Sequence, residues 1–275
     1  MPELPEVEVS RQGLIPHLSG QRILGAVVRT PKLRQDIPRG LAARITGLRV
    51  DAIRRRGKYL LLDCESAAGG GWLLLHLGMS GSLRLVLPAT PAQKHDHVDL
   101  VFAQTVLRLR DPRRFGALLW HEGGQVESHP MLAALGIEPL SDGFDGDWLY
   151  AATRRRRVAI KPLLMDGRLV VGVGNIYAAE SLFHAGISPL RAAGRIGRER
   201  CRVLAAAIRS TLEAAIAAGG SSVRDYVHSD GGAGCFQLSC TVYDRQGEPC
   251  PTCGELIRVI RQAGRSTFYC PRCQR

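Results

Sequence analysis

The sequence predicts an α+β protein of several domains, in which an N-terminal helix and a β-sandwich precede a helical part and a terminal cysteine-rich hairpin. Three observations predict this fold class. Short aliphatic stretches separated by Gly, Pro or Asp occupy residues 20–122, apolar residues recur at helical spacing after Leu132, and four cysteines lie in two pairs near the C-terminus. We expect the domains at residues 1–132, 133–236 and 237–275.

The first domain is expected to begin with a helix at residues 5–18. Proline is favoured in a first helical turn, and Val7, Leu14 and Leu18 share one stripe. The strands that follow are too closely spaced for crossover helices, which favours a sandwich or barrel-like domain. They are predicted at residues 21–30, 59–63, 71–77, 82–87, 98–103, 106–109 and 117–121.

The second domain is expected to be helical. Periodic apolar residues predict helices at residues 175–184 and 198–218, and Gly219–Gly220 ends the second of them. Ser222, followed by Asp225, has the pattern of an N-cap that opens another short helix.

The terminal cysteines have the spacing of a metal site. Cys250 and Cys253 form one Cys-x-x-Cys pair, Cys270 and Cys273 form another, and 16 residues separate the pairs. Four thiolates complete a tetrahedral shell, so we expect one structural Zn(II) with no position open for catalysis. Predicted strands at residues 256–261 and 266–269 make the segment a zinc-ribbon hairpin. The remaining cysteines show no ligand spacing and are expected to be buried thiols: Cys64, Cys201, Cys235 and Cys240.

The formal net charge of +12 predicts a polyanionic partner, with nucleic acid ahead of an anionic membrane surface. Neither an export signal nor a membrane-spanning stretch is recognisable, so a cytoplasmic protein is expected. Arginine supplies 33 of the 37 basic residues. Since arginine does not release its proton, each of the four lysines is a candidate for proton transfer: Lys32, Lys58, Lys94 and Lys161.

The N-terminus is the second unusual segment. Removal of Met1 would expose the secondary amine of Pro2, a nucleophile that can form an iminium with a sugar aldehyde. Glu3 and Glu6 would then supply nearby acids or bases. The same residues are also ordinary at a helix start, and composition alone leaves both interpretations open.

Six motifs and the cysteine pairs, in this order along the whole chain, resemble the bacterial formamidopyrimidine-DNA glycosylase family. Several motifs in order are far more specific than any one of them. They are Pro-Glu-Leu-Pro-Glu-Val-Glu from residue 2, Lys-Tyr-Leu-Leu-Leu from 58, His-Leu-Gly-Met-Ser-Gly-Ser-Leu from 76, Lys-His-Asp-His-Val from 94, Asp-Pro-Arg-Arg-Phe-Gly from 111 and Val-Gly-Val-Gly-Asn-Ile-Tyr from 171.

This resemblance implies a helix-two-turn-helix element in the second domain, and a bifunctional glycosylase and AP lyase that removes oxidised purines from duplex DNA. It implies that Pro2 attacks the sugar, that Glu3 donates the proton that opens it, and that Glu6 supports proton transfer. Lys58 would donate the proton in β-elimination. Arg265 matches the residue assigned to δ-elimination, and we expect it to position phosphate.

The resemblance also implies DNA contacts. Met79, Arg113 and Phe115 would fill the gap left by an extruded base. Four further residues would contact the DNA: His76, His95, Asn175 and Arg156, the last within a basic run at 154–157. Damaged double-stranded DNA is the expected partner, and a monomer is expected.

Two alternatives stay open beside this interpretation. An endonuclease VIII type enzyme would act on oxidised pyrimidines, although Leu4 and the filling residues argue against it. A non-catalytic zinc-ribbon binder would explain the charge and the metal but not the Pro2–Glu3 start with Lys58. The resemblance assigns no role to Lys161, and Cys235 stands where relatives often have tyrosine in a lesion-sensing loop.

Overall fold

A computed structural model of the chain describes residues 2–67, 69–220 and 240–275. These residues form two compact units, one of residues 2–133 with 218–220 and the other of residues 134–217 with 240–275. The helix predicted to open at Ser222 lies outside the described residues, as does Cys235.

The first unit contains α1 (Leu4–Leu18) and two antiparallel four-stranded sheets, which confirms the predicted fold class. One sheet has the order β1-β6-β7-β5 and the other β2-β3-β4-β8. The strands are β1 (Gly25–Val28), β2 (Arg49–Arg56), β3 (Tyr59–Ser66), β4 (Gly69–His76), β5 (Ser82–Val86), β6 (Asp96–Val101), β7 (Val106–Arg110) and β8 (Ala117–Glu122). Two short helices complete the unit, α2 (Leu41–Ile45) and α3 (Pro130–Ala133).

One apolar cluster joins both sheets and α1. Leu60 and Leu62 alternate along β3, Leu107 and Leu109 alternate along β7, and all four enter the cluster together with Leu14 of α1. Successive side chains of a strand point to opposite faces, so every second residue reaches the cluster; the sequence displays this period in β7, where Leu107 and Leu109 alternate with arginines. Burial against the two sheets therefore fixes one face of α1, and with it the position of the N-terminus.

Four elements of this unit differ clearly from the predictions. The first strand is shorter than residues 21–30, and β2, α2 and α3 were missed. β2 ends in three consecutive arginines, of which Arg54 is exposed and the other two half-buried. A strand whose apolar face carries only a few residues leaves a weak pattern in sequence, although its pairing with β3 is extensive.

In its described residues, the second unit contains four α-helices and a hairpin. The helices predicted at 175–184 and 198–218 are confirmed as α6 and α7. Among the described residues, no helix is both long and apolar enough to pass through a membrane. The elements are α4 (Gly146–Thr153), α5 (Ile160–Leu164), α6 (Asn175–His184), α7 (Arg198–Ala217), β9 (Arg258–Gln262) and β10 (Arg265–Tyr269).

The hairpin packs on α6 within this unit. Ile257 and Phe268 share an apolar cluster with Ala179 and Phe183 of the helix. The buried Glu180 carboxylate adds a polar anchor, because it accepts the backbone N–H groups of residues 241, 242 and 243 at 2.8–3.0 Å. The chain is thus held on α6 just ahead of the hairpin.

Candidate active site and nucleic-acid interface

The first residues are buried at the start of α1. Glu3 is the N-cap of the helix, and its carboxylate accepts the backbone N–H of Glu6. In return, Glu6 Oε2 accepts the Glu3 N–H at 2.7 Å, which completes a capping box. Pro2 is buried beside them, Glu3 is 2% exposed and Glu6 is fully buried. Two carboxylates are therefore fixed next to the predicted nucleophile, where the helix dipole favours negative charge.

Gly220 packs against Glu6. A Cβ on Gly220 would lie 3.3 Å from Glu6 Oε1, and the glycine has a φ of +78°, which side-chain-bearing residues rarely adopt. This position therefore favours glycine for both space and backbone conformation.

Lys58 lies in the two-residue turn that joins β2 to β3. Gly57 supplies the positive φ of the turn at +56°, and Lys58 is half-buried. Arg55 connects the turn to α1, because its Nε donates to Glu8 Oε2 at 3.0 Å and its Nη1 donates to the Gly57 carbonyl at 3.1 Å. The turn that presents Lys58 is thus fixed to the helix that carries Glu3 and Glu6.

His76, at the end of β4, is held as a neutral ring. Its Nδ1 accepts the Gly78 N–H at 3.0 Å, so the ring proton is on Nε2. Burial, together with the positive charges of Lys58 and Arg34, lowers the pKa of His76 to about 4. At physiological pH this residue is therefore neutral, and its Nε2–H is a potential hydrogen-bond donor.

The predicted filling residues lie on two loops that touch. Met79 is 38% exposed and Phe115 is 44% exposed, and the Arg113 guanidinium carbon is 4.9 Å from the centroid of the Phe115 ring. A Cβ on Gly78 would lie 2.3 Å from the backbone carbonyl carbon of Phe115, so only glycine permits this approach. The structure therefore brings all three predicted side chains to neighbouring exposed positions.

His95 lies on a third loop, with a positive φ of +76°. Its carbonyl accepts the backbone N–H of Asp111 at 3.0 Å, which connects it to the loop of Arg113. Desolvation and the charges of Lys94 and Arg110 lower the pKa of its imidazole. The basic residues that surround His95 give this edge of the first unit a positive potential.

The second unit holds the other predicted DNA contacts. Asn175 is the first residue of α6, Arg156 is exposed, and Arg265 is exposed at the start of β10. Arg154 in the same basic run is used differently, because its guanidinium donates to the carbonyls of residues 150, 194 and 196. The structure thus separates a structural arginine from the exposed arginines at 155–157.

Lys161, which the sequence left without a role, connects the two predicted phosphate contacts of this unit. The side chain is 1% exposed, and its Nζ donates to Asn175 Oδ1 at 2.6 Å and to Thr267 Oγ1 at 2.8 Å. Because Oδ1 is occupied, the Asn175 amide is left to donate through its NH₂ group. Thr267 lies two residues from Arg265, so the ammonium group also fixes that end of the hairpin. The scarcity of lysine singled this residue out, but its partners are not visible in the sequence.

The four cysteines of the hairpin converge. All four Sγ atoms lie within 4.8 Å of one another, and the Cys250–Cys273 and Cys253–Cys270 pairs are 3.9 and 3.5 Å apart. A tetrahedral Zn(II) with bonds of about 2.3 Å to sulfur separates its ligands by about 3.8 Å. The donor set and its spacing therefore fit zinc.

Comparisons with known proteins agree with this geometry. Residues 1–118 match the formamidopyrimidine-DNA glycosylase N-terminal domain, and residues 135–227 match the formamidopyrimidine-DNA glycosylase H2TH domain. Residues 247–275 match a zinc finger found in FPG and IleRS. The chain accordingly carries one structural Zn(II), held by the four cysteine thiolates.

Similar proteins cover the chain from end to end. It is 62% identical over 276 residues to the formamidopyrimidine-DNA glycosylase of Dechloromonas aromatica and 56% identical over 289 residues to that of Ralstonia nicotianae, with 100% of both chains covered each time.

Solved structures give the same result. MutM (Fpg) from Thermus thermophilus superposes with a TM-score of 0.88 at 40% identity, covering 99% of this chain and 98% of that one. A Lactococcus lactis Fpg mutant in complex with Fapy-dG-containing DNA superposes with a TM-score of 0.92 at 35% identity, covering 100% of both. With the capped N-terminal carboxylates and the four-cysteine hairpin in place, the chain belongs to the formamidopyrimidine-DNA glycosylase family.

Proposed function

We propose that this protein is a bifunctional DNA glycosylase and AP lyase that excises 8-oxoguanine and formamidopyrimidines from duplex DNA and then cleaves the strand. The observation that carries the proposal is the start of α1, where Pro2 is buried beside two carboxylates that a capping box holds in place. Family membership supports the same chemistry. Because chromosomal DNA would be the substrate, we infer that the protein acts in the bacterial cytoplasm. We also infer that it acts as a monomer.

The first step is displacement of the damaged base. The Pro2 nitrogen, free once Met1 is removed, attacks C1′ of the nucleoside. A carbon–nitrogen bond forms to Pro2 while the glycosidic bond breaks, and the base leaves with the electron pair and takes up the proton that the Pro2 nitrogen loses. Glu3 protonates the ring oxygen as the sugar opens to an iminium, and the buried Glu6 carboxylate beside it supports that proton transfer.

Strand cleavage follows from the iminium. In β-elimination, the Glu3 carboxylate, which has given its proton to the sugar, accepts a proton from C2′ while the bond from C3′ to the 3′ phosphate breaks. Lys58 donates a proton to the departing phosphate because, unlike the surrounding arginines, it can release one. A second elimination removes a proton from C4′ and breaks the bond from C5′ to the 5′ phosphate. Arg265 and Asn175 donate to the phosphates and orient them, with Lys161 holding both elements behind them.

Base removal requires extrusion of the damaged nucleotide from the stack, at a cost of a few kcal/mol. Met79 and Phe115 are apolar and exposed, and Arg113 is stacked on Phe115, which suits a set that fills the vacated space. His76, His95 and Arg156 provide the contacts to the DNA backbone that hold the duplex in register.

We expect borohydride to trap a covalent adduct between Pro2 and duplex DNA that contains 8-oxoguanine. Reduction converts the iminium to a stable amine, and peptide mass spectrometry locates the modified residue. A chain with one extra residue ahead of Pro2 is the matched control, because its Pro2 nitrogen is part of an amide and cannot attack.

Trapping also separates the two rival functions. If the protein binds the DNA but borohydride traps no adduct, the non-catalytic zinc-ribbon binder is the interpretation that remains. Adducts with an oxidised pyrimidine but not with 8-oxoguanine would favour the endonuclease VIII type of enzyme. Either result would overturn the proposal.

Lys58→Arg should slow cleavage of a preformed abasic site by about 10²-fold, since it keeps the positive charge but removes the transferable proton. Single-turnover cleavage followed on gels measures the rate. Lys32→Arg is the control, because Lys32 is an exposed lysine of the same unit that lies 3.7 Å from Asp36 in an ion pair. If Lys58→Arg cleaves the abasic site at the wild-type rate, Lys58 is not the proton donor.

A further inference from the structure

Asp111 opens the Asp-Pro-Arg-Arg-Phe-Gly motif, and the chemistry proposed above gives its carboxylate no task. The side chain is fully buried. Its Oδ1 accepts the Ser80 hydroxyl at 2.9 Å, and its Oδ2 accepts the Gly116 backbone N–H at 2.7 Å. A buried carboxylate is costly unless its hydrogen bonds are made, so Asp111 sets the distance between these two partners.

Each filling residue is adjacent to a member of this hydrogen-bond network. Met79 directly precedes Ser80, and Phe115 directly precedes Gly116. The backbone N–H of Arg113 donates to the Ser80 hydroxyl at 3.2 Å, while that hydroxyl donates to Asp111. One carboxylate thus fixes the backbone beside all three side chains.

The backbone of Asp111 extends the network to the loop of His95. Its carbonyl oxygen accepts from His97 Nε2 at 2.9 Å, which requires the proton of that ring to be on Nε2. Its N–H donates to the His95 carbonyl at 3.0 Å. Three loops that present predicted DNA contacts therefore meet at one buried residue.

We propose that Asp111 is a positioning residue that holds the three filling side chains in the mutual geometry needed to occupy the space of an extruded base. This inference rests on the proposed function. The side chains that fill that space have to offset the free-energy cost of unstacking. Extrusion of the base therefore depends on the positions of all three side chains relative to one another. An abasic site has no damaged base to extrude, so its cleavage depends on this geometry far less.

Asp111→Asn tests the proposal, because the amide cannot accept hydrogen bonds on both sides. Two duplexes are compared under single-turnover conditions, one containing 8-oxoguanine and one a preformed abasic site. We expect excision of 8-oxoguanine to fall by about 10-fold to 100-fold, as misplaced groups typically cost, while cleavage at the abasic site changes by no more than about twofold. 2-Aminopurine placed opposite the lesion fluoresces more strongly when it becomes unstacked. In stopped-flow measurements with Asp111→Asn, we expect this fluorescence to increase less and more slowly than with the wild-type protein.

Ser80→Ala is the second variant: Asp111 keeps its bond to Gly116 but loses the Ser80 donor, and the Arg113 N–H loses its acceptor. It should show a defect of the same kind. Ser128→Ala is the matched control, since the Ser128 hydroxyl donates to the Gln125 carbonyl in a separate turn of the same unit.

Equal losses on both substrates, or none on either, in both variants would overturn the positioning role. Failure of wild-type protein on both substrates would instead count against the proposed function itself. The two proposals therefore fail in distinguishable ways.

Discussion

Glu3→Gln should lower the rate of base excision by about 10²-fold to 10⁴-fold, the contribution expected of a general acid. Glutamine has nearly the same shape, and its amide oxygen can accept the Glu6 N–H, so the capping box is retained. What it lacks is a proton to transfer to the sugar. Single-turnover excision of 8-oxoguanine measures the loss, and thermal unfolding should stay close to that of the wild type.

Glu65→Gln provides the control for Glu3. Glu65 is an exposed carboxylate in β3 of the same unit, and its replacement should leave excision unchanged. If Glu3→Gln excises the base at the wild-type rate, Glu3 is not the acid. If Glu3→Gln unfolds at a much lower temperature, its loss of activity would report on the cap rather than on proton transfer.

Removing the zinc should disorder the β9–β10 hairpin and reduce binding of damaged duplex towards the non-specific level, a loss of about 10³-fold or more. The hairpin contributes few apolar side chains to a core, so most of its order depends on the metal. Structural zinc typically contributes an apparent binding free energy of about 10–16 kcal/mol. Arg265 sits at the hairpin turn and would lose its position with the metal.

Zinc release by a chelator, followed with a colorimetric indicator, and duplex affinity are measured on the same sample. Cys270→Ala should reproduce the effect of the chelator, because three thiolates leave the shell open. Cys201→Ala is the control, since Cys201 is a buried cysteine of the same unit outside the site. Unchanged affinity in the zinc-free protein would show that the hairpin does not contribute to DNA binding.

The sequence predicted the features that local patterns encode. Short aliphatic stretches, spaced too closely for crossover helices, predicted the sandwich, as in β3 and β7, and the two-residue gaps between paired cysteines predicted the zinc site. Both patterns lie within one turn or one strand, so they can be read without knowing what packs against them. The arginine-rich strand β2 was missed because its pairing with β3, rather than its own composition, holds it in place.

The sequence by itself determined the fold class, the metal ligands and the candidate catalytic residues Pro2, Glu3 and Lys58. Only the tertiary structure decided what the buried polar residues do. Lys161 reaches partners 14 and 106 residues away, and Asp111 contacts a serine 31 residues before it. Such contacts require that distant segments pack first, and burial is what makes their hydrogen bonds obligatory. For that reason the positioning of the site is a property of the fold, whereas its chemical groups are already apparent in the chain.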